Sequence, residues 1–293
     1  MSFVHDALGV LVAAALSFAA TLGPQPAGPS GNVVEPPPRQ PVTARPDEPL
    51  AGVLGHDISW PNCPRGLGIP ARRTLGKPLP PAPSRYVLIG LTNGPAFHPN
   101  PCLSQQVQHV RSRHLWAAAY AVVTYPTPAQ LDTYGAAGPR GGGDTAGRLY
   151  NTGWAQATVN LRSMATAGLR VPVVWVDVEP VRPPAPWSSD TDANRAVLEG
   201  SIARYRRAGL RVGVYSTRYL WRSVVGGVAY GLPEWRAAGP TSRRQALRQC
   251  RDDVAIQGGD PILAQWSSVD VDYNVLCPQR PALDVLREFF APL

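Results

Sequence analysis

The stretch VPVVWVDVEP, Val171 to Pro180, decides how the rest of the chain is read. Six apolar positions carry two acids near their end, Asp177 and Glu179, although only 20 of 293 residues are acidic. Successive side chains of a strand point to opposite faces. Trp175, Asp177 and Glu179 therefore share one face, and Val174, Val176 and Val178 the other. With the valines turned toward covering helices, the acids face the opposite side. Both lie at the strand's end, just before Pro180 and a loop from Val181 to Trp187.

The flanking sequence repeats the same kind of unit. Ala167-Gly168-Leu169-Arg170-Val171 recurs as Ala208-Gly209-Leu210-Arg211-Val212. Each copy ends a helical pattern with Gly near the cap and opens a β-branched run, a helix-to-strand junction. Between them, Ser188 to Ala208 has Ser and Asp at its start and apolar Leu198, Ile202 and Tyr205 at helical spacing. A preceding helix is expected over about Ala155 to Ala167. Further strands are expected at Gly52 to Ile58, Tyr86 to Leu91, Trp116 to Tyr125, Val212 to Ser216 and Ile262 to Trp266. Such continuous apolar runs fit parallel strands covered on both faces. Thr127 to Gly153, with Tyr134 to Gly143 rich in Gly, reads as a long loop. No Gly-Lys-Ser/Thr follows these glycines, so they do not form a phosphate cradle.

About 240 residues of βα units fit a (β/α) TIM-like barrel, irregular in detail, or a doubly wound sheet. No G-x-G-x-x-G follows the first strand, which removes the usual dinucleotide case. In a barrel, functional groups gather at the C-terminal strand ends. Asp57 ends the first strand in GHDISW, and Asp272 follows the last in SVDVDYN. With Asp177 and Glu179, four carboxylates would share one mouth. Crowded, partly desolvated acids cannot all ionise cheaply, so at least one pKa rises. A protonated acid beside an ionised one is what glycosidic cleavage requires. Glu179 is the expected general acid and Asp177 its partner. Their Cβ atoms would lie about 6 to 7 Å apart, between the retaining and inverting ranges.

Blander readings compete. Asp-x-Glu can be a structural ion pair with Arg182 or another arginine, and Asp57 can be a cap. Asp270 has the opposite parity from Asp272 and reads as loop surface. Trp60, Trp175, Trp266 and Tyr215 suit sugar stacking, but an aromatic at a strand end is more often core. The histidines have no metal spacing, so no metal or other cofactor is expected.

The N-terminal part reads differently. Ala7 to Gly23 is an apolar run with a small-x-small site at Ser17 to Ala19, so residues 1–23 form a signal peptide or an N-terminal anchor. The run reads as a secretory signal; His5 and Asp6 precede it without Lys or Arg, which disagrees with that reading and leaves a different start or an uncleaved anchor open. Residues 24–50 form a Pro-rich disordered linker, and 51–293 the barrel. Net charge is +8, and 27 of 28 basic residues are Arg, with Lys77 the lone lysine. The basic residues are scattered, without a nucleic-acid motif. Cys63, Cys102, Cys250 and Cys277 lack C-x-x-C spacing. With export they imply two disulfides. Of three connectivities, Cys63 with Cys102 and Cys250 with Cys277 is favoured, because each pair flanks neighbouring elements.

GHDISW, VPVVWVDVEP, VGVYS with Tyr215, and ILAQWSSVDVDYNVL occur in the order in which they resemble the glycoside hydrolase family 25 lysozymes and related actinobacterial glycoside-hydrolase-like barrels. The resemblance covers roughly Val53 to Leu276. It implies a cofactor-free N-acetylmuramidase cutting the β-1,4 bond of peptidoglycan, secreted or held at the cell envelope, and monomeric. By position it implies catalytic roles for Glu179, Asp177, Asp57 and Asp272, with Tyr215 lining the site; apart from the resemblance, Asn93 is expected among the substrate-binding residues. Three stretches depart from the family pattern, Trp60-Pro61-Asn62-Cys63, Gly90-Leu91-Thr92-Asn93-Gly94 and the Gly-rich insertion after Tyr125, all at the expected mouth. The alternative expectation is an inactive barrel that binds wall glycan or an envelope partner. A glycosidase acting on another acetylated polysaccharide would differ only in pocket shape.

Overall fold

A computed structural model of the chain describes residues 53–180 and 187–293. The expectations for segments 1–23 and 24–50, the first residues of the barrel segment and the Arg182 ion pair fall outside the described residues.

Eight strands close into a barrel in the order β1 (Leu54–Ile58), β8 (Asp272–Leu276), β7 (Pro261–Ser267), β6 (Glu234–Pro240), β5 (Arg211–Ser216), β4 (Val173–Asp177), β3 (Trp116–Val122) and β2 (Tyr86–Gly90), with β2 returning to β1. Neighbours are parallel except around β8, which runs antiparallel to β1 and β7. A two-residue strand, β9 (Ala291–Pro292), pairs with Trp116 and Ala117 of β3, the part of that edge below the β4 pairing. The helices are α1 (Leu103–Ser112), α2 (Pro128–Tyr134), α3 (Thr145–Ala167), α4 (Thr191–Arg207), α5 (Arg218–Val225), α6 (Arg243–Ala246) and α7 (Ala282–Phe289).

Alternation along β4 sorts two cores. Val174, Val176 and Val178 join the layer between barrel and helices, with Val197 and Leu198 of α4 and Trp221 of α5. Val173 and Trp175 turn into the barrel with Tyr86, Leu88, Trp235 and Leu263, and with Phe289 and Phe290 at and just after the end of α7. Trp175 packs edge to face on Trp235 at 6.3 Å and tilted against Phe289 at 5.9 Å. Each such ring buries on the order of 150 to 250 Å², so this interior supplies much of the driving force for closure.

Four expectations are corrected. The expected loop from Thr127 to Gly153 contains α2 and the first two turns of α3. Thr127 and Gln130 form a capping box around Pro128, and the Asp144 side chain accepts from Gly147 N. These caps lie in Gly-rich sequence that hides them. β6 went unpredicted because its first turn of sequence is charged, yet Glu234 and Arg236 are buried as an ion pair at 2.6 Å. The sheet is mixed rather than parallel, because Ser268 to Val271 turn the chain back and Asp272 opens a strand of its own. The first strand begins at Leu54 rather than Gly52.

Both favoured disulfides are present, Cys63–Cys102 and Cys250–Cys277.

Candidate active site

Asp57 and Tyr215 sit at or one residue from the ends of β1 and β5, Asp177 ends β4, and Glu179 lies two residues beyond it. Because β8 is antiparallel, its first residue, Asp272, reaches the same mouth. In register Asp272 stands opposite Asp57, and Asp177 lies beside Tyr215. A cleft of about 200 Å³ opens there, lined by Asp177, Glu179, Trp60, Arg72, Thr92 and Tyr120 among others. Asp57 and Asp272 lie outside this lining but within reach of its charges.

All four acids have their pKa raised by burial, and Asp57, Asp177 and Glu179 also by another of the four. Burial, then the facing Asp272, lifts Asp57 to about 7, against two amide donors. Gln265 Nε2 at 3.0 Å and Asn274 Nδ2 at 2.7 Å both donate to Asp57 Oδ1. The orientation of Asn274 is fixed from behind: Trp235 Nε1, which can only donate, reaches Asn274 Oδ1 at 2.7 Å. Tyr215 Oη likewise donates to Gln265 Oε1 at 2.6 Å. Burial raises Asp177 well above the usual carboxylate range, with Glu179 and Asp57 adding to it. Asp177 Oδ1 has no hydrogen-bond partner among the described residues, which also favours the neutral form. Glu179 is raised by burial and by Asp272, while Arg72 pulls it down. Asp272 is raised by burial and held back by Lys77. Chemically this is a set of carboxyl groups whose pKa values are all raised, each toward the proton-holding form, with Arg72 and Lys77 opposing the shift at Glu179 and Asp272.

Other expected site residues divide. Trp60 lines the cleft. Tyr215 reaches the acids through Gln265. Trp175 is fully buried in the barrel interior and offers no face to a ligand, so its stacking role is withdrawn. Trp266 is 8% exposed and stacks on Tyr273 at 5.1 Å, so it too is packing. Asn93 is 1% exposed and does not touch the cleft; its Oδ1 accepts from Ile69 N at 2.7 Å and its Nδ2 donates to Arg72 O at 3.1 Å. It braces a loop instead. Asp270 is exposed, as its parity suggested. No cluster of His, Cys, Asp and Glu suited to a metal occurs among the described residues. Sequence reasoning missed Arg72, Gln265 and Asn274. Gln265 and Asn274 stand in the quoted last-strand motif, but nothing local marks an amide as a carboxylate's partner.

The family model described as Lysozyme-like protein 1 matches residues 147–237, the span that carries Asp177, Glu179 and Tyr215. Over that span the chain is similar to lysozyme-like proteins. Lysozyme-like protein 5 of Caenorhabditis elegans is 31% identical over 71 residues, 24% of this chain and 31% of that protein. Probable GH family 25 lysozyme 4 of Dictyostelium discoideum is 36% identical over 67 residues, 22% of this chain and 30% of that protein. The matches thus span about a third of the length of these curated relatives. In fold, the barrel is similar to the bacterial lysozyme from Streptomyces coelicolor, with TM-score 0.52 and 19% identity over 81% of this chain and 97% of that one. It is also similar to a family GH25 lysozyme from Aspergillus fumigatus, with TM-score 0.53 and 14% identity over 82% and 100%. At these identities the likeness is one of fold.

Proposed function

We propose that this chain is an extracytoplasmic glycoside hydrolase of the lysozyme type, cutting β-1,4 linkages in peptidoglycan by carboxylate acid/base chemistry. The observation that carries the reading is the gathering at one barrel mouth of four carboxyl groups, all with pKa raised by burial and three of them also by another of the set. Two disulfides fit an oxidising compartment, and residues 1–23 and 24–50 then serve as export segment and tether for a barrel over 51–293.

In this mechanism Glu179 is the general acid. Burial raises its pKa and so favours the protonated form, and it delivers that proton to the glycosidic oxygen as the bond breaks. Positive charge then develops on the sugar, and the ionised form of Asp57, whose pKa is about 7, stabilises it or activates water, with Asp177 as the partner that orients or tunes Glu179. The amides of Gln265 and Asn274 hold Asp57 in place without supplying a proton acceptor. The chain's own groups supply both proton and counter-charge.

The test is muropeptide release from purified peptidoglycan by wild type and Glu179→Gln. Loss of at least a hundred-fold on substitution supports general acid catalysis. Equal release by both proteins sinks it and leaves a glycan-binding barrel.

A further inference from the structure

Two of the stretches that depart from the family pattern, at Trp60 and at Gly94, meet at Arg72. The turn at Trp60–Asn62 is tied down through Cys63, bonded to Cys102. The loop that follows is closed on itself: Gly76 N donates to Cys63 O at 3.0 Å and Lys77 N to Pro61 O at 2.9 Å. At its tip, Arg72 N donates to Ile69 O at 2.9 Å, and the Asn93 side chain spans the same two residues from the β2 side. Next to it, Gly94 has φ +79°, and a Cβ there would lie 2.1 Å from Arg72 Cδ. A side chain at 94 would therefore strain the backbone and displace the arginine stem. Trp60 completes the perch, its ring 5.8 Å from the guanidinium carbon.

This machinery delivers a positive charge into a cleft whose other ionisable walls are Asp177, Glu179 and Tyr120. The Glu179 carboxyl feels that charge directly. Recognition of hydroxyls and acetamido groups needs no full charge, and an all-acid cleft would repel an anionic ligand. A guanidinium presents five N–H donors in a planar fork, enough to serve the protein and a ligand together. Its geometry matches a planar carboxylate two bonds at a time.

We infer that Arg72 is a specificity-determining residue that binds a free carboxylate on the sugar beside the scissile linkage. This rests on the reading of the cleft as a glycan site. The ligand chemistry is a singly charged carboxylate on a sugar ring, and two sources supply it. One is a lactyl ether whose carboxyl is free of attached peptide, and the other is a hexuronate. Glycan with amide-linked peptides at that sugar, or neutral amino-sugar polymer, lacks the group and binds more weakly.

The experiment measures binding by calorimetry with full-length Glu179→Gln, which removes turnover, and with Glu179→Gln/Arg72→Gln. The probes are an amino-sugar tetrasaccharide with free lactyl carboxylates, a hexuronate-containing tetrasaccharide, and the carboxyl-reduced form of each. Carboxyl reduction is expected to weaken binding to the single variant about ten-fold or more for at least one pair, and less than two-fold in the double variant. The pair that shows the loss identifies the source. No loss in the single variant for either pair, or an equal loss in both proteins, overturns the inference. If the Gln variant does not fold, Arg72→Lys in its place carries the comparison: a smaller loss than with Arg supports it, and an undiminished one overturns it. Because the readout is binding, a failure of muropeptide release would count against catalysis and not against Arg72. Absence of binding to every probe overturns both.

Discussion

Asp57 and Asp272 stand directly opposite one another across the antiparallel β1–β8 pair. Side chains so placed share a face about 4.5 to 5.5 Å apart, where like charges repel. Burial and this facing charge lift Asp57 from 3.8 to about 7. In that window the folded chain holds a proton that the unfolded chain has released. Stability is therefore full below 3.8 and falls as pH rises toward about 7. Asp57→Asn keeps an acceptor for Gln265 and Asn274 but cannot ionise. It is expected to flatten this dependence and to raise Tm near pH 7, measured by thermal unfolding across pH 4 to 8. A variant with the wild-type slope would contradict the assignment.

Arg72 opposes the upward shift of Glu179. Removing the charge in Arg72→Gln is expected to raise the Glu179 pKa further. If Glu179 is the acid, the alkaline limb of kcat/KM against pH moves to higher pH. Movement to lower pH would show that the limb belongs to another group.

Asn93 makes two hydrogen bonds to the loop that carries Arg72. Asn93→Ala leaves a backbone donor and an acceptor without these partners, at a cost of about 1 to 3 kcal/mol. Urea unfolding reads the loss. If Asn93 acted on substrate instead, binding would suffer while stability held.

Glu234 and Arg236 form a fully buried pair. The Arg236 guanidinium also holds Gln249 O and Arg251 O at 2.7 Å, while Glu234 accepts from Ile256 N, Gln257 N and Gly259 N. Arg236→Met strands the carboxylate and frees those carbonyls, so a loss of about 3 to 5 kcal/mol is expected in chemical denaturation. A loss below about 1 kcal/mol would mean that the pair is replaceable.

The Cys63–Cys102 link closes a segment of 39 residues. Chain entropy sets its contribution at about 4 kcal/mol. Cys63→Ala/Cys102→Ala is expected to lose stability on that order and to loosen the Arg72 loop, read as faster amide exchange over 64–77. Unchanged exchange there would show that Asn93 alone braces the loop.

The β4 sequence was legible because alternation is a local property of the chain. Val174, Val176 and Val178 did face the helices, and Asp177 did face inward. The helix of α4 was legible for the same reason, its apolar spacing being visible without partners. β6 was not, because Glu234 and Arg236 become core residues only through each other. β8 was not, because a turn at Ser268 to Val271 looks like any polar loop until a second strand pairs with it.

Sequence alone determined the face on which Asp177 and Glu179 lie and their position at a strand's end, since both follow from spacing and order; it favoured one cysteine pairing of three, and the fold decided it. Depth and partnership were decided by the closed barrel. Trp175 shares its face with the acids, yet β5 and β6 close over it and bury it, while Asp177 two residues on reaches the cleft. Asn93, which reads as a ligand-binding group, faces a loop whose path is set by the disulfide and the turn after β1. Arg72 reads as one arginine among 27, and it becomes the cation of the site only because that loop folds back over the mouth. Periodicity fixes direction along an element, but which groups share a volume depends on contacts between residues far apart in the chain.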